Sequence, residues 1–131
     1  MTEKELCALA IKATENAYAP YSGYKVGAAL LTKSGKVYFG CNIENASYSP
    51  TNCAERTAFF KAISEGEREF FAIAIAGGKN GKIKGVFPPC GVCRQVMSEF
   101  CSKDFVVLLV KSENDFERYT LSQLLPLAFE F

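Results

Sequence analysis

Hydrophobic positions along this chain repeat with two periods, and the switches between them mark its elements. Leu6, Leu9, Ala10, Ala13 and Ala17 fall on one helical face behind the opening TEKE, in which Thr2 and Glu5 make a capping box. The pattern predicts a helix that ends before Pro20. The run VGAALL (26–31), the turn KSGK and the run VYFGCNIE (37–44) predict a β-hairpin. Period two in its second strand puts Val37, Phe39, Cys41 and Ile43 on one face and Tyr38, Gly40, Asn42 and Glu44 on the other. Residues 53–65 predict a second helix, with Gly66 placed to end it. FFAIAIA (70–76) is apolar without alternation, as a strand covered on both faces is. A third helix starts near Cys90, with Cys93, Val96, Met97, Phe100 and Cys101 as its stripe. FVVLLV (105–110) predicts another buried strand, followed by a short strand near Tyr119 and a helix at Leu121 to Leu125. The order α-β-β-α-β-α-β-β-α predicts an α/β fold of three layers, α/β/α, around a mixed five-stranded sheet.

Composition adds limits. The sequence has no internal repeat and no linker, and 131 residues, 49% of them hydrophobic, suit one core, so residues 1–131 are expected to form a single domain. Fifteen basic against fourteen acidic side chains leave no strong field, and no run of Lys or Arg forms a patch. Neither a nucleic acid nor a membrane is expected as partner, and a small neutral ligand is. No apolar run approaches the ~20 residues of a membrane span, and the N-terminus lacks the basic-then-apolar order of a secretory signal. These features predict a cytoplasmic protein. In a reducing compartment the six cysteines argue against a disulfide framework.

The absence of histidine removes the commonest metal ligand and the commonest general base together. PPCGVCRQ (88–95) then stands out. Its Cys-x-x-Cys, alone, fits a redox dithiol about as well as part of a metal site. A third thiol favours the metal: Cys53, in NCAER, starts the second helix as Cys90 and Cys93 start the third, and helix N-termini favour thiolates. Zinc takes four protein ligands in structural sites and three plus water in catalytic ones. Glu55 lies one turn back along the stripe Ala58, Phe59, Ala62 and Ile63, so it faces the core, where a carboxylate must be paired, metal-bound or protonated. Beside a metal thiolate its natural work is proton transfer. Arg56 is placed to donate to the sulfurs and offset their charge, although a surface arginine fits the spacing too.

Cys53-Ala54-Glu55 followed by Pro89-Cys90-Gly91-Val92-Cys93 resembles the zinc deaminase signature. With APYSGYKVGAALLT, GCNIENASYS, CAERTA, PCGVCRQV and LLPLAF in that order, nearly the whole chain resembles the cytidine deaminase family, in its short, all-cysteine, homotetrameric branch. The resemblance implies zinc on Cys53, Cys90 and Cys93, with Glu55 as proton shuttle. It further implies ribose hydroxyls on Asn42 and Glu44 and the pyrimidine edge at the Ala54 backbone. By the same resemblance Tyr24 packs near substrate, Phe129 reaches a neighbouring subunit's pocket, and the sites lie at subunit interfaces. The implied reaction converts cytidine and 2′-deoxycytidine to uridine and 2′-deoxyuridine in pyrimidine salvage. Other readings compete. The substrate can be a different aminopyrimidine nucleoside, or the cysteines can form a closed structural zinc module with a fourth protein ligand. On spacing alone Asn42 and Glu44 read as solvated strand-end residues, and Cys7, Cys41 and Cys101 as core filler.

Overall fold

The computed structural model describes all 131 residues, Met1–Phe131. The Thr2 hydroxyl accepts from the Glu5 N–H at 3.1 Å and starts α1, Glu3–Ala13. The Thr14 hydroxyl donates back to the Ile11 carbonyl at 2.7 Å, and a 3-10 turn, Thr14–Asn16, closes the helix. Ala17 is extended, so it lies beyond the helix and not on the face its spacing suggested.

The remaining elements are β1 (Tyr24–Thr32), β2 (Val37–Cys41), α2 (Ala54–Ser64), β3 (Phe70–Lys79), α3 (Gly91–Phe100), β4 (Val106–Ser112), β5 (Asp115–Thr120) and α4 (Leu121–Leu124). They build one sheet in the order β2-β1-β3-β4-β5. Only β3 and β4 run parallel, and α3 is their crossover; the other pairs are antiparallel. The mixed five-stranded sheet of the α/β reading is thus present. Each face has its own cover. Leu6, Cys7 and Ala10 of α1 pack on Ala29, Ala72, Ala74, Ala76, Leu108 and Val110. Ala54, Ala58, Phe59 and Ala62 of α2, with Met97 of α3, pack on Ala28, Leu30, Ile73, Ile75, Val107 and Leu109. Burial on both sides explains why β3 and β4 carry apolar residues without alternation.

Two strand glycines set how close the helices come. A Cβ on Gly27 would stand 2.3 Å from the Ala10 carbonyl oxygen, and one on Gly40 would stand 2.2 Å from that of Ala54. Glycine therefore lets α1 and the first turn of α2 rest directly on the sheet. At the far end of α2, Gly66 (φ 100°) takes the left-handed position, its N–H bonding to Ile63 and that of Glu67 to Ala62, a Schellman ending.

β2 is shorter than its sequence pattern. Pairing with β1 stops at Cys41, and Ile43 instead exchanges bonds with Asn52 while the Glu44 N–H donates to the Tyr18 carbonyl. Asn42 still bonds to β1 through its N–H to the Val26 carbonyl, and residues 43–44 then leave the sheet edge and cross towards the start of α2. No helix is long and apolar enough to cross a membrane.

Candidate active site

The N-termini of α2 and α3 meet at one end of the sheet because both helices cover the same face. Cys53 and Cys90 are their N-cap residues, and Cys93 lies in the first turn of α3. The three sulfurs lie within 4.8 Å of one another, Cys53 and Cys90 at 3.8 Å. Two sulfurs each about 2.3 Å from one tetrahedral ion also lie about 3.8 Å apart. Arg56 Nη2 donates to Cys53 Sγ at 3.3 Å, while its Nε is buried without a partner. Three thiolates beside one guanidinium leave two negative charges over, which a divalent cation cancels. The donor set fits a metal ion, and it offers three protein ligands, not the four of a closed structural site.

Without a cation the sulfurs divide protons unequally. The Cys93 thiol donates to Cys53, and that bond, helped by Arg56 against the opposing effect of burial, holds Cys53 down at about 5. The same bond, with burial, pushes Cys93 up. Glu55, only 4% exposed, lies between these sulfurs and a cavity of about 550 Å³. Burial first, with the Cys53 charge adding to it, pushes its carboxyl up to about 7.

Asn42 and Glu44 line the same cavity, together with Tyr24, Ala54, Cys53 and Cys90. Asn42 is fixed at both ends of its amide: Oδ1 accepts from the Val26 N–H at 2.9 Å and Nδ2 donates to the Tyr24 carbonyl at 2.8 Å. One amide hydrogen and one lone pair stay free for a ligand. Glu44 Oε1 accepts from the N–H groups of Tyr21 (2.9 Å) and Ser22 (3.1 Å), and Oε2 accepts from the Ser22 hydroxyl. The Ser22 hydroxyl, and then these backbone donors, hold its carboxyl below the ordinary value, so it is an acceptor at neutral pH.

A family model described as the cytidine and deoxycytidylate deaminase zinc-binding region matches residues 1–109. The chain belongs to this family. It is thereby an enzyme of the hydrolytic deaminase class. A cytidine deaminase of Sporosarcina psychrophila is 51% identical over 98% of this chain and 92% of its own length. One of Halalkalibacterium halodurans is 53% identical over 98% and 95%. Among solved structures, the crystal structure of the cytidine deaminase of Burkholderia pseudomallei superposes with a TM-score of 0.91 at 50% identity, covering 98% of this chain and all of that one. The cytidine deaminase of Mycobacterium tuberculosis does so with a TM-score of 0.83 at 35% identity, each chain fully covered.

In this member of the deaminase family, nine of the ten residues singled out from sequence gather here: Cys53, Ala54, Glu55, Arg56, Cys90, Cys93, Asn42, Glu44 and Tyr24. Phe129 does not. It is 66% exposed on the C-terminal tail, packed edge-on to Phe131 and away from its own chain's cavity. Cavity residues that sequence reading passed over are Ser22, Val26, Thr51, Asn52, Phe87 and Pro88. Ser22 had a signal: it sits in a Pro-Tyr-Ser-Gly turn, where a hydroxyl commonly bonds locally, although its bond to Glu44 spans the fold. Asn52 had none.

Proposed function

We propose that this chain hydrolyses cytidine and 2′-deoxycytidine to uridine and 2′-deoxyuridine with release of ammonia, a step of pyrimidine salvage, and that Cys53, Cys90 and Cys93 hold a zinc ion. The observation that carries the reading is Glu55, a buried carboxyl that lines a nucleoside-sized cavity beside the three-cysteine cluster. Zinc, when bound, supplies a Lewis acid that makes water nucleophilic near neutral pH. Glu55 takes the proton that water loses as its oxygen adds to C4 of the pyrimidine. The carboxyl passes that proton to N3, then takes the proton of the new C4 hydroxyl and gives it to the amine as the C4–N bond breaks and the C4 carbonyl forms, so one water is consumed and one ammonia leaves. A carboxyl that first accepts and then donates works best with its pKa near the operating pH.

Substrate positioning is assigned to the remaining lining groups. The ribose hydroxyls bond to Glu44 and to the free valences of Asn42. The Ala54 N–H, at the first helical position of α2 where no intrahelical acceptor exists, faces the pyrimidine edge. Tyr24 packs against the nucleoside, and Arg56 offsets sulfur charge. Phe129, displayed away from its own cavity, reaches that of a neighbour in a homotetramer. Sedimentation of the zinc-loaded protein at micromolar concentration is expected to give a tetramer, and a stable, fully active monomer would remove this part of the proposal.

The test of the activity is the ultraviolet spectrum of cytidine incubated with purified protein, zinc content measured on the same sample, with Glu55→Gln beside it. Loss of the cytosine absorbance with the wild type, slowed about a hundred- to ten-thousandfold in a variant that keeps its zinc, is the expected result. Zinc-loaded wild type that leaves cytidine and 2′-deoxycytidine unchanged would overturn the reading.

A further inference from the structure

The chain has no basic run, yet its fold gathers one. From Phe70 to Ser98 the sequence contains Lys79, Lys82, Lys84 and Arg94 and no acidic residue. The three lysines converge on a second cavity, of about 500 Å³, also lined by Tyr24, Gly77, Gly78, Asn80, Gly85, Val86 and Phe87. None of them forms an ion pair, and neither does Lys25, whose stem passes the same turn beside Gly81. Lys111 anchors Gly85 through its carbonyl, but its ammonium is taken up by Asp115 and Glu117. A solvated lysine face is ordinarily convex, which lets like charges separate. Here Lys79, Lys82 and Lys84 all line one concavity, where the fields of like charges add.

The scaffold is fixed before any ligand arrives. Asn80 (φ 54°) and Gly81 (φ 81°) both take the left-handed conformation, and the N–H groups of Asn80, Gly81 and Lys82 bond to Gly23, Gly78 and Lys79. The loop lies so close on β3 that a Cβ at Gly78 would stand 1.8 Å from the Lys82 carbonyl oxygen. Lys79 Nζ is held over the Tyr24 ring, 5.1 Å from its centre, and donates to the Ser22 carbonyl at 2.9 Å. Tyr24 and Phe87 belong to both cavities and form the wall between them.

We propose that this lysine-lined cleft, set behind the Tyr24–Phe87 wall of the nucleoside cavity, is a binding site for a phosphate oxyanion. The chemistry it selects is compact multiple negative charge: three lysines line it, and the open space beside Gly85 leaves room for a ligand to approach the backbone. Two sources share that chemistry, the 5′-phosphate of a pyrimidine nucleotide whose nucleoside part lies in the neighbouring cavity, and a free oligophosphate.

The test is a titration of the zinc-loaded full-length protein with inorganic pyrophosphate, followed by phosphorus NMR at low salt. Saturable binding is expected, weakened at least about tenfold in Lys82→Ala/Lys84→Ala and by added salt. A thermal melt like that of wild type shows the double variant folded. Affinity unchanged in the variant, or no saturable binding by wild type, overturns the proposal. Cytidine 5′-monophosphate separates the sources. If it displaces pyrophosphate and is itself weakened by Glu44→Gln, the site takes a nucleotide's phosphate; if pyrophosphate binds equally with the nucleoside cavity filled by uridine, the site takes a free anion. Binding is read without turnover, so this proposal and the deaminase reading fail independently.

Discussion

Among single residues, Ser22 has the least conspicuous chemistry and the clearest leverage. Its hydroxyl and N–H both bond to Glu44, and its carbonyl holds Lys79, so one short side chain stands between two cavities. Ser22→Ala removes one of three donors to the Glu44 carboxylate while leaving the sulfurs and Glu55 alone. Steady-state kinetics with cytidine are expected to show KM raised about three- to tenfold at nearly constant kcat, the size of one ordinary net hydrogen bond, because two donors still hold the Glu44 carboxylate. A fall in kcat with KM unchanged would place Ser22 in the chemical step instead. Cys53, Glu55, Cys90 and Cys93 could be read because sulfur and carboxylate chemistry is specific to their residue types and their spacing is short. Ser22 and Asn52 could not, since their partners are remote in sequence and serines and asparagines fill most turns.

At the scale of elements, the two strand glycines make a matched pair of predictions. Gly40→Ala forces the first turn of α2, which carries Cys53 and Glu55, off the sheet, whereas Gly27→Ala lifts α1 on the opposite face. Each is expected to destabilise by about 1–3 kcal/mol, read as a lower urea midpoint at constant slope. Only Gly40→Ala is expected also to lower zinc content and deaminase activity per folded molecule. Equal losses of activity in both would mean that α2 is not held to the sheet by this contact. Element type and order were open to sequence reading because the periods of two and 3.6 are local. The boundaries were not. Alternation in 37–44 continues smoothly, yet β2 ends at Cys41 because Ile43 finds a better partner in Asn52, nine residues on. Ala17 keeps helical spacing but is lost to a 3-10 ending.

For the whole molecule, the reserve cysteines set the alkaline limit. Burial, and next the charge of Glu3, push Cys7 up to about 11, and burial pushes Cys101 up to about 12, both from an ordinary 9.0. A folded-state pKa above the unfolded one stabilises fully below the unfolded value and is lost as pH rises through the folded one. Thermal stability is therefore expected to be insensitive to these thiols below about pH 9 and to fall between pH 9 and 12. The decline should be shallower in Cys101→Ala than in wild type when melting is followed by circular dichroism. An identical alkaline slope in the variant would assign the loss to other groups, Tyr38 and Tyr119 being raised as well.

The sequence by itself determined the residue types that can do chemistry, the order of the elements and the two-sided burial of the sheet, because each is written in local patterns. Only the tertiary structure decided which of them meet. Helices packed on one face of the sheet bring the two cysteine-bearing N-termini together, and a strand that ends early swings Asn42 and Glu44 over them. A turn with two left-handed residues folds the lysines of 79–84 back onto β3 and sets them beside Tyr24 of the distant β1. Such meetings depend on distances between segments far apart in the chain, and those are fixed by packing and not by spacing.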